Sequence, residues 1–169
     1  MATTPAGDWG GSIAASYFTG TVTVDGGANS AVGGLVGYST GHDIDELSGT
    51  GSVSLTADDD TLAGGAFGYY GCCLTSGLEI DAAVAVSGGL HCACGGFVGW
   101  ADQSLEQSLS EGTVNGGSGS YIGGFVGYDN TSGQMSNDEW CTDTSNIADP
   151  SQGAGNVSND PGIAGVTCY

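Results

Sequence analysis

No lysine or arginine occurs anywhere in this chain of 169 residues, and its 19 acidic side chains give a formal net charge of −19. Nucleic-acid binding is excluded, because displacing phosphate counterions takes cations. A phosphate-loop lysine, a Schiff-base lysine and an arginine clamp are excluded with it. Each carboxylate must be solvated, bonded to backbone amides or matched by an external cation. Uniform negative charge keeps a protein soluble while opposing compaction, so a saline, acidic or calcium-rich surrounding is expected. An anionic membrane surface would repel the chain. No apolar run approaches the roughly 18 residues of a membrane span, so no membrane insertion is expected. No basic, apolar leader opens the chain, which reads as a mature product or an excised piece.

What is present is glycine, 34 residues of it, with only 8% aromatics and 11% charged residues. By length the chain is one domain, and this composition suits a thin core repeated many times better than one globular core. The repeats are plain. Gly33-Gly34-Leu35-Val36-Gly37-Tyr38 recurs as Gly64-Gly65-Ala66-Phe67-Gly68-Tyr69, as Gly95-Gly96-Phe97-Val98-Gly99-Trp100 and as Gly123-Gly124-Phe125-Val126-Gly127-Tyr128, at intervals of 31, 31 and 28 residues. Val22, Val53, Val84 and Val114 keep nearly the same step inside alternating runs such as Thr21-Val22-Thr23-Val24. Leu47, Leu78 and Leu109 form a third, weaker series, with Ile44, Leu74 and Leu105 beside it.

Alternation of apolar and small polar residues marks strands, and a fixed period near 30 residues marks a stacked array. The spacing predicts an all-β fold, a right-handed parallel β-helix of about five coils near 9–32, 33–63, 64–94, 95–122 and 123–145, with residues 146–169 as a C-terminal cap. Only Asp102 to Glu111 looks helical. Equivalent residues then stack about 4.8 Å apart, making interior ladders of Val22, Val53, Val84 and Val114 and of Val36, Phe67, Val98 and Val126. Strict alternation puts Tyr38, Tyr69, Trp100 and Tyr128 inside with the second ladder; facing outward, they would be a platform for stacking sugars. The glycine pairs are expected to supply φ > 0.

The motif Gly-Gly-φ-Val-Gly-aromatic at steps near 30 residues resembles the GLUG repeat of bacterial and archaeal surface proteins, over roughly residues 10 to 148. The segment Asn137-Asp138-Glu139-Trp140-Cys141-Thr142-Asp143-Thr144-Ser145 resembles the closing stretch of such arrays. The resemblance implies a solenoid surface module of the adhesin kind and no activity, because no catalytic residues belong to the motif.

Six cysteines, Cys72, Cys73, Cys92, Cys94, Cys141 and Cys168, read as a disulfide framework in an oxidising compartment. Two bridges between Cys72-Cys73 and Cys92-Cys94, and one joining Cys141 to Cys168, are one plausible pairing of the roughly 15 that six cysteines allow, among which the sequence does not choose. The alternative is a metal site using His91, but adjacent Cys-Cys and Cys-x-Cys spacing fits zinc poorly. The acids Asp43, Asp45, Glu46, Asp58, Asp59 and Asp60, with Asp138, Glu139 and Asp143 as a third group, are either calcium ligands or solvated turn acids. Asn130 and Asn156 begin glycosylation acceptor patterns. No enzyme is expected. A carboxylate pair such as Asp43 and Asp45 could hydrolyse a glycoside, but the chain offers no long loops to build a cleft. His42 and His91 belong to no Ser-His-Asp pattern.

These features lead to an extracellular or cell-surface structural protein that self-associates head to tail as a filament subunit, because solenoid ends present unpaired edges. The alternatives are an adhesin module binding glycan or protein on its flank, and an ice-binding solenoid. Thr21 and Thr23 begin an ice-binding row that Ser52, Ser54, Ala83 and Ala85 break.

Overall fold

The computed structural model describes residues 12–41, 43–56, 58–71, 73 and 75–169, with only the backbone of Ser12 and Asp43. Trp9, His42, Cys72, Leu74 and the Asp43 side chain lie outside the described residues. The described chain is all-β, with no helix long and apolar enough to cross a membrane. Its strands pair in parallel into a β-solenoid of about four turns.

The widest face carries β2 (Tyr17–Asp25), β6 (Ser48–Thr56), β10 (Glu79–Ser87), β14 (Leu109–Ser110) with β15 (Val114–Asn115), β18 (Asp138–Cys141) and β19 (Ile163–Val166). A second face stacks β3 (Ala31–Gly33), β7 (Leu62–Gly64), β11 (Ala93–Gly95) and β16 (Tyr121–Gly123). A third stacks β4 (Val36–Ser39), β8 (Phe67–Tyr70), β12 (Val98–Ala101) and β17 (Val126–Asp129). Two short pairs complete the coils: β1 (Ser12–Ala14) with β5 (Asp43–Asp45), and β9 (Thr75–Ser76) with β13 (Leu105–Glu106). The stretch from Asp102 to Glu111 is therefore strand and turn, because its leucines serve the stacked period rather than a helical face.

Sequence period and strand register coincide. Val22, Val53, Val84 and Val114 are Cα partners in successive rungs, as are Val36, Phe67, Val98 and Val126. Both ladders face inward: Val53, Val84, Phe67, Val98 and Val126 are fully buried. A single coil cannot cover its own apolar side, so burial comes from stacking. The turn count is four rather than five because the Gly33–Tyr38 motif closes the turn begun by β2. Four motifs make four turns. The fifth rung is partial: β18 extends the wide face, and the segment around Ala154 bridges Val126.

The glycine pairs act by permitting close approach. None of Gly33, Gly34, Gly64, Gly65, Gly95, Gly96, Gly123 and Gly124 has positive φ. A Cβ on Gly64 would lie 2.1 Å from the Phe67 oxygen and 2.7 Å from the Gly99 nitrogen of the next turn. On Gly65 it would lie 2.3 Å from the Gly96 oxygen. The second and third faces thus meet backbone to backbone at this corner. Positive φ recurs at the repeat period in other columns, among them Ala15, Glu46, Gly77, Gln107 and Asn137, and Asn29, Asp60, His91 and Gly119.

A disulfide joins Cys141 of β18 to Cys168, pinning the C-terminal segment to the last rung. With its ends 27 positions apart in sequence, its removal is expected to cost about 3 kcal/mol. The free energies of unfolding of Cys141→Ser and the parent, each taken from its own urea midpoint and m-value, measure this. Cys92 and Cys94 do not take up the expected bridges; Cys72, their other expected partner, lies outside the described residues. Cys92 and Cys94 are buried thiols, and burial pushes the Cys94 thiol up to about 12. Cys94 stacks between Ala63 and Ile122, where a thiol packs as a small apolar group.

Candidate functional site

The aromatic column faces outward. Tyr38 is 63% exposed, and Tyr69, Trp100 and Tyr128 are half-buried. Pairing in the third face skips Gly37, Gly68, Gly99 and Gly127. The glycine shifts the alternation by one residue, as a bulge does. The next residues, Ser39, Tyr70, Ala101 and Asp129, take the interior positions instead and are all buried.

Tyr38 stacks on Tyr69 with ring centroids 4.3 Å apart, and Trp100 on Tyr128 at 4.0 Å. These contacts cover part of each ring face and stabilise the rungs. Between the two pairs the link is Asp102. Its carboxylate accepts from Tyr69 Oη at 2.5 Å, Trp100 Nε1 at 2.7 Å and Asn130 Nδ2 at 2.8 Å. Burial opposes ionisation of Asp102, but the three donors together hold its carboxyl below the ordinary value. The same hydrogen bond pushes the Tyr69 hydroxyl well above its usual range. Asp102 therefore fixes the Tyr69 and Trp100 rings and keeps its charge.

A second column runs beside the aromatics. Asn29, Asp60 and His91 occupy one left-handed turn position, with φ of 57°, 59° and 59°, a conformation that Asn, Asp and His adopt more readily than most residues. Asp60 N donates to Leu90 O at 3.1 Å, and His91 N to Gly119 O at 3.4 Å, which locks the turns in stack. Ala31 and Leu62 form an apolar floor between the columns, and the whole is a depression of about 310 Å³. In the fourth turn Tyr121 stands where the floor would continue and packs edge-on against Tyr128 at 5.0 Å. The groove therefore spans the first three turns.

The other candidate residues have structural partners. Asp58 accepts from Gly27 N at 3.1 Å and Asp59 from Leu90 N at 2.8 Å, tying adjacent turns. Asp45 and Glu46 sit exposed at the end of β5. Among the described residues, the group of potential ligand atoms close enough to share a metal is Glu111, Cys141 and Cys168, and the disulfide consumes both sulfurs. Asn156 clamps the last rung: its Oδ1 accepts from Asp129 N at 2.7 Å and its Nδ2 donates to Asp129 O at 2.8 Å. The atom a glycan would attach to is thus engaged, and so is Asn130 Nδ2, which donates to Asp102 although Asn130 itself is exposed.

Sequence reasoning offers Asp138 only as a calcium ligand or solvated turn acid and does not mark Asp129 or Asp160, yet all three are buried beneath the cap. Asp129, Asp138 and Asp160 are 5%, 0% and 5% exposed. Burial pushes Asp138 up to about 7, and burial together with a hydrogen bond shared with Asp129 pushes Asp160 up to about 6. Of the third acid group, Glu139 is exposed, and Asp143 accepts the Cys168 and Tyr169 amides at 3.1 and 3.0 Å. In comparisons with family models, curated proteins and solved structures, nothing matches the chain.

Proposed function

We propose that the protein is an extracellular recognition module of the adhesin kind, a rigid solenoid that binds a polysaccharide chain along the groove between its aromatic and turn columns. The observation that carries this reading is the outward placement of Tyr38, Tyr69 and Trp100 beside an apolar floor. Aromatic surface next to hydroxyl-binding groups is what a sugar ring requires: an apolar face to rest on and polar partners at its edge. The disulfide fits an oxidising compartment.

Affinity electrophoresis in gels containing soluble polysaccharides tests it. Trp100→Ala and Tyr69→Ala are expected to weaken binding at least tenfold, about 1.4 kcal/mol, while Tyr17→Ala on the wide face leaves it unchanged. Retention of no polysaccharide by the parent protein, or equal retention of all variants, sinks the reading.

Self-association is the second reading, and one observation favours it. Phe18, Val22, Val24, Leu35 and Val36 of the first turn are only partly buried, whereas their counterparts in later turns are closed off. That end offers apolar surface to another solenoid end, while the disulfide-pinned segment occupies the other. Sedimentation equilibrium over a wide concentration range separates the cases: a monomer throughout removes the assembly reading.

A further inference from the structure

We infer, resting on the glycan reading of the groove, that its ligand is an amino sugar carrying a free ammonium group.

Size sets the first condition. A depression of about 310 Å³ lies at the lower end of the range for small-ligand sites, so it takes one ring-sized unit of a longer chain. Ring chemistry sets the second. Tyr69 and Trp100 are held rigid by the Asp102 carboxylate, and an aromatic face attracts both the C–H side of a pyranose and a cation.

Charge sets the third. Three successive aspartates reach this rim, and two are consumed: Asp58 and Asp59 hold backbone amides of the neighbouring turns. The Asp60 carboxylate instead stays 62% exposed at the groove, with His91 Nδ1 at 4.0 Å as its neighbour. The chain has no lysine or arginine to neutralise it. A uronate or sulfated sugar would meet Asp60, Asp102 and a net charge of −19. A neutral sugar would leave Asp60 unmatched. An ammonium substituent on the stacked ring satisfies the carboxylate and the aromatic faces at once.

Isothermal titration with glucosamine disaccharide and trisaccharide, their N-acetylated counterparts and neutral glucan oligomers of the same length tests this. Short oligomers limit the avidity any polycation would show for an acidic protein. The free amines are expected to bind at least tenfold more tightly than the acetylated and neutral forms, with affinity falling as salt screens the pair. Asp60→Asn is expected to lose most of that preference, while Glu139→Gln, an exposed acid on the wide face, keeps it.

Equal loss in both variants would mark a general polyanion effect and overturn the inference. Tighter binding of the acetylated or neutral oligomers would overturn it while leaving the glycan reading standing. No binding of any oligomer, with none of the polysaccharides retained in the gels, would overturn both.

Discussion

Raising the pH from about 4 to about 8 will lower the free energy of unfolding by several kcal/mol, on the order of 4 kcal/mol through Asp138 alone. Asp138 is fully buried and burial pushes it from 3.8 up to about 7, against the pull of hydrogen bonds from Ser108 N and Ser136 N. Glu106 and Asp160 face it and add repulsion. Asp160 is raised to about 6 by burial and by its hydrogen bond with Asp129, and its buried Oδ2 has no hydrogen-bond partner among the described residues. A raised carboxyl binds its proton more tightly folded than unfolded. Its stabilisation is complete below 3.8, the unfolded value, and is lost as the pH passes through 6 to 7. Asp102 and Asp143 are lowered and act in the opposite sense, losing their contribution only as the pH falls below the ordinary range. The optimum therefore lies near pH 4, more acidic than the usual window of about 5 to 8. Urea unfolding at pH 4, 6 and 8 measures the loss, and Asp138→Asn should flatten it. A stability that rises from pH 4 to 8 in the parent protein would contradict the account.

That buried acid group shows where sequence reading reaches its limit. The ladders of Val22, Val53, Val84 and Val114 were legible because a fixed step of 31 or 30 residues turns directly into strand register. The Cys141–Cys168 bridge was legible because both cysteines flank one closing segment. Facing was not. Counting by twos from Phe67 puts Tyr69 inside, but the ladder skips Gly68, so Tyr69 turns out and Tyr70 turns in. That one-residue shift carried the whole binding surface to the outside. It also sent Asp129 into the interior column below Ala101, where nothing in its local sequence marks it as buried. Cys94 was read as a bridge partner because pairing statistics of secreted cysteines say nothing about a column of Ala63, Cys94 and Ile122. The left-handed column of Asn29, Asp60 and His91 does carry a signal, three turn-tolerant residues at intervals of 31, and it aligns the groove's polar edge with its aromatic one.

Gly64→Ala is expected to destabilise the fold by more than about 3 kcal/mol or to prevent folding, although alanine is ordinarily the better residue. At a site with unstrained φ, replacing glycine by alanine stabilises by about 0.4–1 kcal/mol, because the unfolded chain has fewer states to lose. Gly64 has such a φ, so conformational freedom is not what it supplies. The atoms a methyl group would meet are the Phe67 oxygen at 2.1 Å, the Gly99 nitrogen at 2.7 Å and the Val98 Cα at 2.7 Å. All are backbone, and each is locked into a rung between two neighbours, so relief means opening the corner through several turns. Gly49→Ala is the matched control. Its methyl group would meet the Ile80 Cδ1 and Phe18 Cδ1 at 3.3 Å, both side-chain atoms, and Phe18 is partly exposed and free to yield. That variant should lie within about 1 kcal/mol of the parent. Thermal and urea unfolding of the two variants decides the matter. If Gly64→Ala is as stable as Gly49→Ala, the second and third faces do not meet backbone to backbone. The repeat glycine would then need another cause. If only Gly64→Ala collapses, the motif is a steric requirement for closing each turn, and the outward shift of the aromatic column follows from the same requirement at Gly68.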